Sequence, residues 1–453
     1  MKKVISLITI IILLFSCSKD DTPQNTIPQN AAPQLENQEF TVVENIDETT
    51  AIGTIAITGA NSNEVSYSIT TNDNDLFTVN EMGELYVAPN KQLNYDIAQT
   101  HTITVEVSSG TKIASANITI KVINIADVYI AGQNNDGKPA IWKNGIITEL
   151  PVPATDWFSS GKVDIQVSKK GDVYAIGSIF QGESRIVLWN NGEPTTLAFE
   201  SKKARDPSLY INNEKVYATW RELIPGGGSP YANIILYKNG ERTNLNPGTI
   251  TIAESKDISI FGDDTYVVGY DDAIDGQPSR EAVLWKNTTK LPLNDTTGTL
   301  SNNLSSSAHS IFISDTGSAY IPFVEIERVS PQQWEHTLKL WKDNVVTTFS
   351  AQGETNGPVY PTSIFVANNI STYIVGTQYN GTPGSYTSFL WEIKETEIER
   401  TTFTNVALNS VSVFNDDVYV LGYSYSENEV KFWKNGIKVP IEGLQRAEAL
   451  FIK

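Results

Sequence analysis

The chain has 453 residues, of which 40% are hydrophobic, 10% aromatic and 19% charged. It is longer than one ordinary domain of roughly 100–200 residues, and its apolar share suits a sizeable core and excludes a mostly disordered chain. With 33 Lys and Arg against 52 Asp and Glu, the formal charge of −19 argues against nucleic-acid binding; three His and one Cys exclude disulfide frameworks, Cys-rich zinc sites and Cys–His nucleophile pairs.

Residues 1–17 read as a targeting segment. Lys2 and Lys3 precede a mostly apolar run, Val4 to Phe15. That run suits the h-region of a signal peptide and is short of the ~20 residues a membrane-spanning helix needs. It ends Leu14-Phe15-Ser16-Cys17, with the single cysteine directly after a small residue. This ending resembles a bacterial lipobox, which implies lipidation at Cys17. Lys19-Asp20-Asp21 resembles the export signal that sends Bacteroidota lipoproteins to the outer face of the outer membrane. Residues 18–32 hold two prolines with Asn, Gln and Thr and read as a flexible tether. The expected attachment to the membrane is through the lipid alone.

Residues 33–126 alternate apolar and polar positions between turn signals, the pattern of a small β-sandwich. Phe40-Thr41-Val42-Val43 and Ile118-Thr119-Ile120-Lys121-Val122 are its clearest strands. The landmarks Phe40 to Asn45, Gly53-Thr54, Leu76 to Val79, Gly83-Glu84-Leu85, Leu93-Asn94-Tyr95-Asp96 and Val122 to Asp127 together resemble a bacterial cadherin domain. The resemblance implies a Greek-key sandwich, cell adhesion and calcium. Its ligand positions are held here by Glu44, Asn94, Asp96 and Asp127, whereas the Asp-x-Asp positions hold Gly59 and Asn61. Calcium is therefore a possible cofactor with a partial ligand set, since Ca²⁺ takes 6–8 oxygen ligands.

From residue 127 to 453 three motifs recur. The first is Asp127-Val128-Tyr129-Ile130, repeated around Tyr174, Tyr217, Tyr266, Tyr320, Tyr373 and Tyr419. The second is Ile141-Trp142-Lys143-Asn144-Gly145, repeated around Trp189, Tyr237, Trp285, Trp341, Trp391 and Trp433. Asn-Gly in this setting is a strong hairpin signal, because a type I′ turn needs positive φ at both central residues. The third motif is a short apolar strand such as Val163 to Val167 or Ile258 to Ile260; its last copy, Ala449 to Ile452, ends the chain. Starting on the second strand and ending on the first is how a closed ring removes its open edge. The pattern predicts an all-β chain in which the cadherin-like sandwich is followed by a seven-bladed β-propeller of four-stranded blades, closed by the C-terminal strand.

The repeated Tyr and Trp are expected between blades. Tight turns occupy one end of the blades, and long loops that differ from repeat to repeat occupy the other, where function usually sits. At that end Asp164, Arg205, Lys256 and His309 precede or begin inner strands, and Trp220, Trp334 and Tyr360 lie near the loops. Ring faces beside mixed polar groups suit a sugar or a peptide. The expected protein is a non-enzymatic, surface-exposed binding or adhesion lipoprotein whose partner is a glycan or a protein. A glycan-active hydrolase or lyase using Asp164, Asp206 or Asp257, or a structural subunit of an outer-membrane complex, are the alternatives.

Overall fold

The computed structural model describes residues 32–60, 65–95, 97–152, 159–180, 184–198, 204–224, 231–248, 251–272, 280–294, 304–330, 333–350, 358–395 and 397–453. Cys17, the tether up to residue 31, Asp96 and the loop residue Trp157 fall outside them. Among the described residues no helix is long and apolar enough to cross a membrane. The chain divides between Ile125 and Ala126 into two compact units.

The first unit holds two sheets. One orders its strands Gln38–Val43, Lys112–Ile123, Thr100–Ser109 and Ser66–Thr71; the other orders Gly53–Thr54, Glu84–Val87 and Phe77–Val79. Gln38–Val43 runs parallel to Lys112–Ile123, with Phe40 opposite Ile120. Period-two alternation sends Ile103, Val105 and Val107 of one strand, and Ile118, Ile120 and Val122 of its neighbour, into a core shared with Leu85 and Val87. Burial of this face stabilises the sandwich at roughly 25 cal/mol per Å² of apolar surface.

In the second unit the described residues form seven sheets. Six are sequential, each strand pairing with the next in the chain. The exception joins both ends: Ile146–Glu149, Pro139–Lys143 and Val128–Asn134 are completed by Leu444–Ile452. The backbones of Asp127 and Lys453 bond to each other in both directions, at 2.8 and 3.0 Å. The sheet that follows Leu293 divides its inner strand into Leu304–Ala308 and Phe312–Ile313.

Each sheet packs on the next through one recurrent arrangement. The Tyr of one repeat lies in a core with the hairpin Trp of the following one: Tyr129 with Trp189, Tyr217 with Trp285, Tyr266 with Trp341, Tyr320 with Trp391. The last pairing, Tyr419 with Trp142, joins the final sheet to the first. Seven interfaces in sequence make a closed, propeller-like ring, and its inner strands surround a channel.

The turn end is held by a repeated clasp. The hairpin Asn adopts positive φ, 46° at Asn144 and 49° at Asn191. Its side chain then faces back along the sheet. In one copy Asn191 Nδ2 donates to Asp172 Oδ1 at 2.8 Å, and Asn191 Oδ1 accepts the Val173 N–H at 2.8 Å. Asn144 with Asp127, Asn287 with Asp264 and Asn435 with Asp417 make the same contacts. The Asp and Asn motifs, nearly twenty residues apart in sequence, are two halves of one local structure.

Candidate functional site

The channel encloses a cavity of about 330 Å³, lined by Lys162, Asp164, Ser208, Lys256, Asp257, His309, Ser310, Thr362, Asn409 and Glu448. One polar position of each inner strand builds its wall: Asp164, Ser208, Asp257, Ser310, Ser363, Ser410 and Glu448, each directly before an apolar residue that turns into an inter-sheet core.

These residues bind across sheets. Asp164 Oδ2 accepts the Leu209 N–H at 2.9 Å and the Ser208 hydroxyl at 3.0 Å. Asp257 Oδ2 accepts the Ile311 N–H at 2.9 Å and the Ser310 hydroxyl at 3.0 Å. Ser208 Oγ also lies 3.0 Å from Asp257 Oδ1. A serine has one hydroxyl hydrogen and here faces two carboxylates. The row Asp164–Ser208–Asp257 is complete when one carboxyl holds a proton. Burial pushes the Asp257 carboxyl above its usual range, and the Asp164 charge adds to this.

A second, charged layer lies toward the loop end. Glu254 is its centre: it accepts from Lys256 Nζ at 2.6 Å and from the Tyr270 hydroxyl, and Arg221 Nη2 stands 3.7 Å away. Burial alone would raise the Glu254 carboxyl, but the charges of Lys256 and Arg221 offset it and bring the pKa to about 2. Arg221 also pairs with Asp206 at 2.7 Å. Asp206 sits at a bulge with φ of 55°. Lys162 Nζ reaches across to the Lys256 carbonyl, 3.3 Å away. His309 is half-buried between the Ser307 hydroxyl, 3.0 Å from its Nε2, and the Tyr360 ring, 5.5 Å away. Burial, with the Lys256 charge next, holds its pKa down to about 3, so the imidazole is neutral at physiological pH.

The structure brings Asp164, Lys256 and His309 together in the channel and sets Tyr360 beside His309. Arg205 is exposed at the start of its inner strand. Trp334 is 56% exposed near the tip of the long hairpin Ala319–Ser330 to Gln333–Lys342, with Arg328 over its ring at 5.6 Å.

Trp220 is a correction. It is fully buried in the core between two sheets, with its indole N–H on Glu222. It stands three residues after Tyr217, where the neighbouring repeat has Gly177. There a Cβ would meet the Trp189 ring at 3.2 Å. In Trp220's own sheet the hairpin aromatic is the smaller Tyr237, whose ring lies 6.1 Å from that of Trp220. The large ring has moved from one strand to its neighbour, and the same volume is filled.

The described members of the cadherin-like ligand set fit a calcium ion poorly. Glu44 Oε2 accepts the Tyr95 N–H at 3.0 Å and Oε1 accepts the Ile125 N–H at 3.2 Å. Asn94 Oδ1 accepts the Ile97 N–H at 3.2 Å, within its own turn. Asp127, in the second unit, is held by Lys143 and Asn144 at 2.7 Å each, in the clasp that Asp264 and Asp417 repeat. Among the described residues no group of three or more His, Cys, Asp or Glu is placed to hold a metal.

Sequence reasoning missed the row of Ser208, Ser310, Ser363 and Ser410 as well as Lys162, Glu254, Tyr270 and Arg280. The row carried a signal, since a small polar or acidic residue precedes the apolar one in every inner-strand motif. Glu254, Tyr270 and Arg280 meet only through strand pairing, and Lys162 reaches them from another sheet.

No protein-family model and no curated protein matches the chain. Among solved structures, the chain is similar to a quinonprotein alcohol dehydrogenase-like protein from Bacteroides thetaiotaomicron at 11% identity, over 89% of this chain and 92% of that one, with a TM-score of 0.38. The β-propeller domain of the Trilobed protease from Pyrococcus furiosus, described as having an open velcro topology, is 11% identical over 62% of this chain and 83% of that one, TM-score 0.37. The third cadherin domain of human protocadherin 7 is 14% identical over 24% of this chain and 93% of that one, TM-score 0.19. The ring of sheets described above makes the class an all-β, propeller-like protein.

Proposed function

We propose that this chain is a lipid-anchored binding protein of the bacterial cell surface. Cys17 carries the lipid at the outer membrane, a cadherin-like sandwich is the spacer, and a seven-bladed propeller closed by Leu444–Ile452 presents its loop end to a glycan or protein. One observation carries this reading: the two ends of the sheets are built differently. The turn end repeats a clasp that satisfies its own polar groups. The loop end gathers charged groups around an open cavity and leaves Trp334, Tyr360, Tyr379 and Tyr425 between 37% and 56% exposed. A glycan-array screen of the protein, with calcium and again with a chelator, tests it. Saturable hits support a carbohydrate-binding protein, and their loss on chelation brings calcium into the account. An array without hits turns the reading to a protein partner, sought by pull-down from outer membranes.

Hydrolysis is the second reading, favoured by the approach of Asp164 and Asp257 to one serine hydroxyl. Glycoside hydrolases set two carboxyls roughly 5–10 Å apart, one of them protonated. Against it, every oxygen of both carboxylates already accepts a main-chain N–H. Product release from a bound glycan, abolished in Asp257→Asn, would decide for hydrolysis.

A further inference from the structure

The described part of the loop-end mouth gathers cations in a chain that is acidic overall. The protein carries −19 overall. Around Tyr270, however, the cations outnumber the acids. Arg280 lies over its ring at 4.8 Å and Lys256 Nζ is 6.0 Å from the same ring. Lys162 Nζ sits on the Lys256 carbonyl. Glu254 is the carboxylate that Lys256 and Tyr270 share, while Asp271, next to Tyr270, is held by Lys290 at 3.0 Å. Asp206 is held by Arg221 and Glu448 by Arg446. Asp164 and Asp257, deeper in the wall, are held by main-chain N–H groups. Among the described residues, no carboxylate stands within ion-pair distance of Lys162, Arg280 or Arg205. The charges of Lys256, Lys162 and Arg280 all act on His309, which opens on the same cavity and stays neutral. A cationic patch walled by protein focuses its field and draws anions from solution.

Ring faces stand at the same end. Tyr360 is beside His309. Tyr379, Tyr386 and Tyr425 form a row with centroids 5.7 and 5.1 Å apart, crossing from one sheet to the next. Strand register places this row level with Tyr360, because Val359 pairs with Gln378 and Tyr379 with Tyr386. Successive phenol faces suit successive sugar rings, while cations suit a carboxylate or sulfate.

We infer that the mouth selects an anionic glycan, with the acidic group of one sugar at Lys162, Lys256 and Arg280 and neighbouring sugars against Tyr360 and the tyrosine row. This rests on the glycan-binding reading above. The probes are oligogalacturonate, its neutral methyl ester and a poly-glutamate peptide, titrated into the full-length protein by calorimetry. The expected result is saturable binding of oligogalacturonate, weakened about tenfold or more by Arg280→Ala and by raising the salt to about 0.5 M, with the ester bound far less. Tyr360→Ala, on the aromatic arm, should weaken both sugars alike. Equal binding of acid and ester overturns the anion assignment and leaves glycan binding standing. Binding of poly-glutamate in place of sugar overturns the glycan class. No binding of any probe overturns the inference together with the reading beneath it. Circular dichroism of each variant separates lost binding from lost fold.

Discussion

The two ends of the ring of sheets follow opposite rules. At the turn end the same groups recur: an Asp, the N–H after it and the Asn of a hairpin, joined by a hairpin Lys at Asp127, Asp264 and Asp417. Each donor there meets an acceptor within its own sheet. At the loop end the described side chains differ from sheet to sheet, and contacts within a sheet, as from Glu254 to Tyr270, are joined by contacts between sheets, as from Lys162 to the Lys256 carbonyl. Repetition is what a rigid scaffold needs, and its absence is what a recognition surface needs. The inner-strand row is the boundary between the two, since it is polar like the mouth yet, from Asp164 through Ser208 and Asp257 to Ser310, hydrogen-bonded like the clasp.

Exchanging one aromatic of the inter-sheet core and one of the mouth tests the contrast most strongly. Trp220→Ala should cost about 3–5 kcal/mol, as for a large buried ring removed from a packed core. Tyr360→Ala, on the open side, should stay within about 1 kcal/mol. Urea unfolding measures both. A Trp220→Ala protein of unchanged stability would return that residue to the rim.

That pair also marks how far sequence reasoning reached. The ring was legible because its chemistry repeats. Tyr recurs every 43 to 54 residues with Trp and often Asn-Gly after it, and closure follows from the repeats beginning on one strand type and ending on another. Trp220 misled because it adjoins a long, distinctive loop, while the position that governs it, three after the repeat Tyr, is an interior one where Gly177, Gly269 and Gly376 also sit. Lys256 and His309 were found by their place before an inner strand. Their surroundings were not, because the partners arrive by strand pairing or from another sheet: Tyr270 is opposite Glu254 in register and sixteen residues distant in sequence, and Lys162 reaches the Lys256 carbonyl from another sheet. The serine row escaped for a related reason. Ser208 looks unremarkable until two carboxylates from neighbouring strands close on it.

Acid sharpens the comparison from the mouth side. Glu254 has its pKa depressed to about 2 against 4.5 for the free group, so its contribution to stability is complete above 4.5 and is lost as pH falls toward 2. His309 is depressed to about 3 against 6.5; unfolding exposes a ring that takes up a proton, so stability falls from pH 6.5 downward. Asp257 and Glu448, whose carboxyls burial raises, act in the opposite sense and favour the fold as acid is added. The difference between wild type and His309→Gln isolates one group. Its stability–pH curve should have a shallower slope below 6.5, the remainder belonging to His101 and His336, which burial also lowers, and should keep the slope that begins at 4.5. Parallel curves would mean that His309 is free to charge in the folded protein.

The smallest effect belongs to a single clasp. Asp172→Ala removes the Asn191 amide contact at the surface and should cost about 0.5–1.5 kcal/mol. Asn191→Ala removes that contact together with the bond to the Val173 N–H, and it leaves an alanine at φ of 49°, a region that L residues enter at about 1–2 kcal/mol. The double variant should then cost little more than Asn191→Ala alone, because the Asp has no remaining role once its Asn is gone. Additive costs would show that Asp172 serves the fold by another contact and that the turn end is less modular than its repetition implies. Neither substitution reaches the mouth, so oligogalacturonate binding should be unchanged in all three variants; a loss there would tie the two ends of the sheet together.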